Sequence, residues 1–174
     1  MTKTDLARKI YELSYLTGSF LLRSGQISNE YFDKYQFESN PEILSEICNQ
    51  MIPLIPENTE VLAGLEMGGI PISTTLALKT GMNTIFVRKK AKEYGTCKIA
   101  EGAQFDNKRV CIIEDVVTTG GQIIESAIEL RNAGAVVSYV LCVIVRDQRA
   151  FTNLGDAGLT LVPLFSMQEI KALL

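Results

Sequence analysis

From Val61 onward the chain alternates short apolar β-forming runs with helical segments that end at glycine, and this alternation limits the fold more than any other feature. Val61–Leu65 reads as a strand, followed by Gly68-Gly69. Residues 70–80 read as a helix closed by Gly81, because glycine accepts the left-handed conformation at a helix end. A strand over 84–88 follows, then a polar stretch over 89–107 that reads as a long mobile loop or a two-stranded excursion. Residues 109–113 form a buried strand and 121–133 a helix ended by Gly134. Val136–Val145 is nearly continuous apolar sequence, as expected of a strand covered on both faces. The last strand is expected over 159–164, and Ser166-Met167-Gln168-Glu169 is a capping box ahead of a short helix. Such a succession predicts one α/β domain over residues 1–174 with a mostly parallel sheet.

The first sixty residues are less regular. Leu6, Ile10 and Leu13 recur at helical spacing and predict a helix over 3–16. Residues 17–38 read as irregular or hairpin-like, with Gly18 and Gly25 as punctuation and aromatic residues at Tyr31, Phe32, Tyr35 and Phe37. Asn40-Pro41-Glu42 is a strong helix start, since Asn caps and Pro suits the first turn; that helix should run to about Met51.

Composition removes whole classes of chemistry. The chain has 174 residues, enough for one well-buried core, and a net charge of -3, which argues against a nucleic-acid binder. No apolar run is long enough to span a bilayer, and the N-terminal MTKTDLARKIYEL lacks the layout of a signal peptide, so a cytoplasmic protein is expected. Cys48, Cys97, Cys111 and Cys142 are scattered without a CxxC pair; free buried thiols fit better than disulfides or a metal site. There is no histidine, which excludes Ser-His-Asp and Cys-His catalysis and any histidine-ligated metal. A metal, if used, would be oxygen-ligated, which points to magnesium.

The most informative stretch is VCIIEDVVTTGGQ, residues 110–122. Apolar β-formers deliver Glu114 and Asp115 to the carboxyl end of a strand, where open parallel sheets bind ligands. A turn over 116–121 then opens a helix. Its glycines admit a ligand close to the backbone, and the hydroxyls of Thr118 and Thr119 with the following amides can cradle a phosphate. The two acids beside it are placed to accept hydrogen bonds from a diol. Together these describe a ribose-5-phosphate site; a buried strand with an incidental glycine turn is the plainer alternative.

This pattern resembles the phosphoribosyl pyrophosphate (PRPP) motif of the type I phosphoribosyltransferases. FVRKKAKEYGTCKIAEG, residues 86–102, is similar to the catalytic loop of the orotate phosphoribosyltransferases within them. A polar loop carrying Arg88, Lys89 and Lys92 can close over departing pyrophosphate and neutralise its charge. Tyr94 stands where many members carry histidine. LLRSGQISNEYFD, residues 21–33, resembles the family's base-binding segment, with Arg23 for the usual lysine and Tyr31 and Phe32 on the aromatic positions. GLEMGGIP, residues 64–71, resembles the pyrophosphate loop, with Met67 and Gly68 at its contact positions; some members carry lysine where Gly68 stands. Arg146 matches the arginine that meets the pyrimidine, but Val145 replaces the aspartate before it.

The resemblance covers the chain from about residue 5 and implies a type I phosphoribosyltransferase-like fold. A central, mostly parallel sheet would be flanked by helices. Residues 1–38 and the C-terminal segment would form a base-binding hood, and 89–107 a mobile catalytic loop. It implies transfer of phosphoribose from PRPP to orotate, with Mg²⁺ bound through PRPP and not by protein ligands alone. Lys92 and Asp115 would be catalytic. Arg88, Lys89, Lys92, Tyr94, Met67, Gly68, Glu114, Asp115 and the run Val116, Val117, Thr118, Thr119, Gly120, Gly121, Gln122 would bind PRPP. Arg23, Tyr31, Phe32, Thr118 and Arg146 would bind orotate. A homodimer with shared active sites is expected, with no nucleic-acid or membrane partner. A phosphoribosyltransferase for another nucleobase, a PRPP-sensing regulator and an inactive scaffold are the alternatives. The RKKAKEYGT loop and the LRSG segment speak against a purine base, and the slightly acidic charge, with no extra DNA-binding domain expected, against a regulator.

Overall fold

A computed structural model describes residues 1–21, 25–90 and 98–173. Its centre is a six-stranded sheet built from β3 (Val61–Leu65), β4 (Asn83–Val87), β5 (Ala100–Gly102), β6 (Arg109–Val117), β7 (Val136–Val145) and β8 (Thr160–Ser166), in the order β5-β4-β3-β6-β7-β8. Every pairing is parallel except β4 with β5. The chain therefore winds outward from β3 in one direction and from β6 in the other. The crevice at the carboxyl ends of β3 and β6 is the topological switch point, where such sheets bind ligands.

Alternation along the strands divides the core in two. Val61, Ala63, Leu65, Val110 and Ile112 face the layer of α5 (Gly121–Asn132) and α6 (Arg149–Asp156), whose Ile123, Ala127, Leu130, Ala150 and Leu154 cover them. Leu62, Cys111, Ile113 and Leu141 face the opposite layer. There α1 (Lys3–Ser14), α3 (Pro41–Met51), α4 (Gly69–Thr80) and α7 (Met167–Ala172) contribute Leu6, Ile10, Ile43, Ile47, Ile72, Leu76 and Ile170. Each fully buried side chain of this kind stabilises the fold by about 1.5–3 kcal/mol. Close approach of α4 to the sheet requires glycine: a Cβ on Gly64 would overlap Ser73 Oγ, and one on Gly69 the carbonyl oxygen of Ile113.

Several local expectations meet their physical causes here. Asn40 Oδ1 accepts the Ile43 N–H at 3.1 Å and starts α3. Gly81 ends α4 at φ 75°. Ser166 and Glu169 form the reciprocal capping box of α7. Other expectations need correction. The first helix stops at Ser14, not Leu16, so the expected hairpin begins earlier: Tyr15–Leu21 is β1, paired antiparallel with β2 (Ile27–Phe32) as a two-stranded hood. Tyr35–Ser39 is a short helix, α2, and α6 was not anticipated. The strand expected over 109–113 runs on to Val117, because β-branched Val116 and Val117 pair with Ile144 and Val145. Glu114 and Asp115 thus lie inside β6, and the turn begins at Thr118. Of the 89–107 stretch, Ala100–Gly102 pairs with β4, whereas 91–97 lie outside the described residues.

Cys48, Cys111 and Cys142 are free and buried; burial pushes the first two thiols up to about 12. Cys97 lies outside the described residues. Among the described residues no helix is long and apolar enough to cross a membrane.

Candidate active site

The corner expected to bind phosphate is built on β6. Asp115 is fully buried, while Thr118, Thr119, Gly121 and Gln122 are exposed at the mouth of the crevice. Gly120 caps α5 at φ 84°, a left-handed conformation that side chains resist, and Leu154 lies 3.0 Å from where its Cβ would be. No side chain caps this end of α5, and the orphan N–H groups and dipole of a helix N-terminus favour an anion. Asn153 of α6 steadies the turn by donating to the Thr119 carbonyl at 2.9 Å. The Arg146 N–H donates to the Val117 carbonyl at 2.8 Å and ties the turn to β7.

Next to this cradle is a buried charge cluster. Lys34, at the start of α2, places its ammonium on Oδ2 of Asp115. The other carboxylate oxygen, Oδ1, accepts the Val116 N–H. Burial alone would raise Asp115, but hydrogen bonding from Glu114 and the Lys34 ammonium outweigh it and hold the carboxyl below its usual range. Glu114 goes the other way: burial first, then the adjacent Asp115 charge, push it well above the carboxylate range. Glu38, also buried, is pushed up to about 9 by burial and by Asp115. The Lys34 ammonium pairs with the Asp115 carboxylate, and the upward push on Glu38 and Glu114 favours their neutral forms, which limits the cost of burying charge.

The loop between β3 and α4 brings Met67 and Gly68 to the same crevice, Met67 exposed and Gly68 buried against Asp115. Glu66 fixes the loop to the end of β4: its N–H donates to the Val87 carbonyl at 2.9 Å, and its Oε1 accepts the Lys89 N–H at 2.5 Å. Lys89 is exposed, and Arg88 is half-buried with Nη2 3.9 Å from Glu101 Oε1. Arg88 lines a cleft of about 190 Å³ with Glu66, Ile70, Phe86, Val87 and Glu101. Lys92 and Tyr94 lie outside the described residues, as does Arg23.

A second cavity, about 180 Å³, brings together Tyr31, Phe32 and Arg146. It is completed by Tyr11, Tyr15, Ser28, Glu30, Met167 and Lys171, none of which the sequence had singled out. Tyr31 stacks on Phe20 with centroids 5.5 Å apart, and Tyr11 on Tyr15 at 4.6 Å. The Tyr15 hydroxyl donates to Glu30, and that bond pushes the phenol up to about 12. Thr118, assigned to both substrates, does not line this cavity, nor do Met67 and Gly68. Val145 is buried in the apolar layer beneath α6, and the aspartate after Arg146, Asp147, engages Arg149 at 3.0 Å.

Lys34, Glu38 and Asn153 are the other residues that sequence reading missed. Lys34 and Glu38 stand four apart, the spacing of one helix face. They fall in a stretch whose aromatic residues made it look irregular.

Residues 29–157, most of the chain, match the phosphoribosyl transferase domain. The orotate phosphoribosyltransferase of Nocardioides sp. is 47% identical over 167 residues, covering 96% of this chain and 93% of that protein. That of Methanocella arvoryzae is 39% identical over 153 residues, covering 88% and 87%. The orotate phosphoribosyltransferase of Mycobacterium tuberculosis, solved in complex with Fe(III) dicitrate, superposes with a TM-score of 0.87 at 25% identity, over 97% of this chain and 98% of that one. The phosphate cradle, the acids beside it and these likenesses agree: this chain belongs to the orotate phosphoribosyltransferases of the type I phosphoribosyltransferase family.

Proposed function

We propose that the chain transfers the 5-phosphoribosyl group of PRPP to orotate, forming orotidine 5'-phosphate and pyrophosphate in pyrimidine biosynthesis. The observation that carries this reading is the Thr118–Gly121 turn opening α5 beside Asp115 at the β3/β6 switch point. In this reading the 5-phosphate sits on the Thr118, Thr119, Gly120, Gly121 and Gln122 turn, with Val116 and Val117 shaping its floor. Asp115 and Glu114 receive the ribose hydroxyls. Met67 and Gly68 flank the pyrophosphate, and Arg88, Lys89, Lys92 and Tyr94 close over it. The reaction displaces pyrophosphate at the anomeric carbon as positive charge builds on the ribose, so Asp115 beneath the ring and Lys92 over the leaving group act on opposite charges.

Orotate is assigned to the cavity of Tyr31, Phe32 and Arg146, with Arg23 and Thr118 as further partners. Flat aromatic faces suit a planar base, and the planar guanidinium of Arg146 suits its carbonyl and carboxylate oxygens. Among the described residues no group of three or more acids, cysteines or histidines is arranged to hold a metal. One oxygen of Asp115 already carries the Lys34 ammonium. Mg²⁺ would arrive on the oxygens of PRPP, with Glu114 and Asp115 holding the ribose hydroxyls beside it. There it would supply positive charge that offsets the departing pyrophosphate. A cytoplasmic homodimer whose catalytic loop, 89–107, serves the neighbouring subunit completes the reading.

The test is pyrophosphate release from PRPP and Mg²⁺ with orotate, uracil, adenine or xanthine in parallel. Release with orotate at least 100 times faster than with any other base is expected. Release with another base in preference to orotate would move the assignment to that base, and PRPP binding without release to a sensor.

A further inference from the structure

Position 68 carries no side chain, and its surroundings leave room for none. A Cβ there would overlap Oδ2 of Asp115 and come within 2.9 Å of Oε1 of Glu38. The space is taken by Asp115 itself and by Glu38, which reaches in from α2. Lys34 sets its ammonium on Oδ2 of Asp115, and Glu38, one helical turn later, is buried against the same carboxylate. Their placement is built in. Asp33 starts the turn by accepting the Tyr35 N–H at 3.2 Å and the Gln36 Nε2 at 2.9 Å. Phe37, wholly buried, anchors the helix between them. Oε1 of Glu38 is buried without a hydrogen bond to a described residue, and it and Oδ2 of Asp115, which already carries the Lys34 ammonium, converge on the point above Gly68. A proton carried by Glu38 and directed at Asp115 satisfies Glu38 as well.

We propose that Lys34 and Glu38 are positioning residues for phosphoribosyl transfer: the α2 face clamps Asp115 in the orientation that meets the ribose. The inference rests on the reading of Asp115 as the ribose acid. It also links the two subsites. Phe32, at the end of β2, lines the base cavity, and only Asp33 separates it from Lys34. The hairpin that holds the base thereby also sets the acid that holds the sugar.

The experiment is steady-state kinetics, with PRPP and orotate varied separately, on Lys34→Met, Lys34→Arg, Glu38→Gln and Glu38→Leu. Lys34→Met should raise the KM for PRPP at least tenfold while that for orotate changes less than threefold, and Lys34→Arg should recover part of the loss. Glu38→Leu should raise the PRPP KM at least fivefold above Glu38→Gln, which keeps a hydrogen to donate. In an Asp115→Asn background, Lys34→Met should change the PRPP KM less than twofold. A PRPP KM within twofold of native for Lys34→Met, or an equal factor in both backgrounds, would overturn the clamp. Should the native chain release no pyrophosphate with orotate, the functional reading fails, and the clamp is read from thermal unfolding instead. Losses in Tm for Lys34→Met and Asp115→Asn that fall short of additive support it; additive losses overturn it.

Discussion

The ribose-phosphate corner and the base cavity are built in opposite ways. The corner stands on β3, all five of whose residues are buried, and on β6, whose Val110 to Ile113 are buried on both faces. The base cavity is lined largely by the β1–β2 hairpin, a two-stranded sheet whose residues are half-buried or exposed. A two-stranded sheet has little independent stability and leans on its neighbours. In the proposed reading, the part of the substrate shared by every phosphoribosyl transfer meets the buried sheet, and the part that distinguishes one base from another meets a lightly supported hairpin. The phosphate turn stands apart from that hairpin, whereas Asp115 is tied to it through Lys34.

Substitutions should split along that line. The largest effect is expected from Asp115→Ala, which removes the ribose acid and strands the Lys34 ammonium. A loss of about 100-fold or more in kcat/KM for PRPP should follow, with a lower Tm. Arg146→Ala should raise the KM for orotate by roughly 10- to 100-fold, the worth of one charge-assisted hydrogen bond, while the KM for PRPP stays within threefold. An equal rise in both would mean that the two regions are not separable. Gly120→Ala should cost about 1–2 kcal/mol in urea unfolding, because the left-handed backbone and the nearby Leu154 both resist a Cβ, and should weaken PRPP more than orotate.

The smallest effect tests the buried acids. Glu38 is pushed up to about 9, so between about pH 4.5 and 9 the folded chain holds a proton that the unfolded chain has released. Stability from this group is full below the unfolded value and is lost as pH rises through the folded one. Asp115, Lys34 and Asp33 are the charged groups acting on it. Tm of the native chain should therefore fall over this window more steeply than that of Glu38→Gln. Parallel curves would show that Glu38 is ionised in the fold.

What was legible in the sequence follows the same division. Val61–Leu65 and Val136–Val145 appear at their observed bounds, because a strand buried on both faces writes itself as an unbroken apolar run. The Thr118 to Gly121 turn is a local motif and could be read residue by residue. Elements that depend on distant partners could not. The end of β6 was hidden by Glu114 and Asp115, which look like a strand terminus until Val116 and Val117 are seen pairing with β7. Helix α6 turns only Ala150 and Leu154 inward, too few to mark a period. Lys34 and Glu38 bear on a carboxylate far along the chain, and no spacing rule joins them to it.

The central claim is tested most directly by the loss of orotate absorbance when the purified chain is mixed with PRPP and Mg²⁺, with Lys92→Ala measured alongside. The account predicts steady consumption of orotate by the native chain and a fall of at least 100-fold in Lys92→Ala, since one positioned charge on the leaving group is worth about that much. Native protein that binds PRPP yet leaves orotate untouched would contradict it.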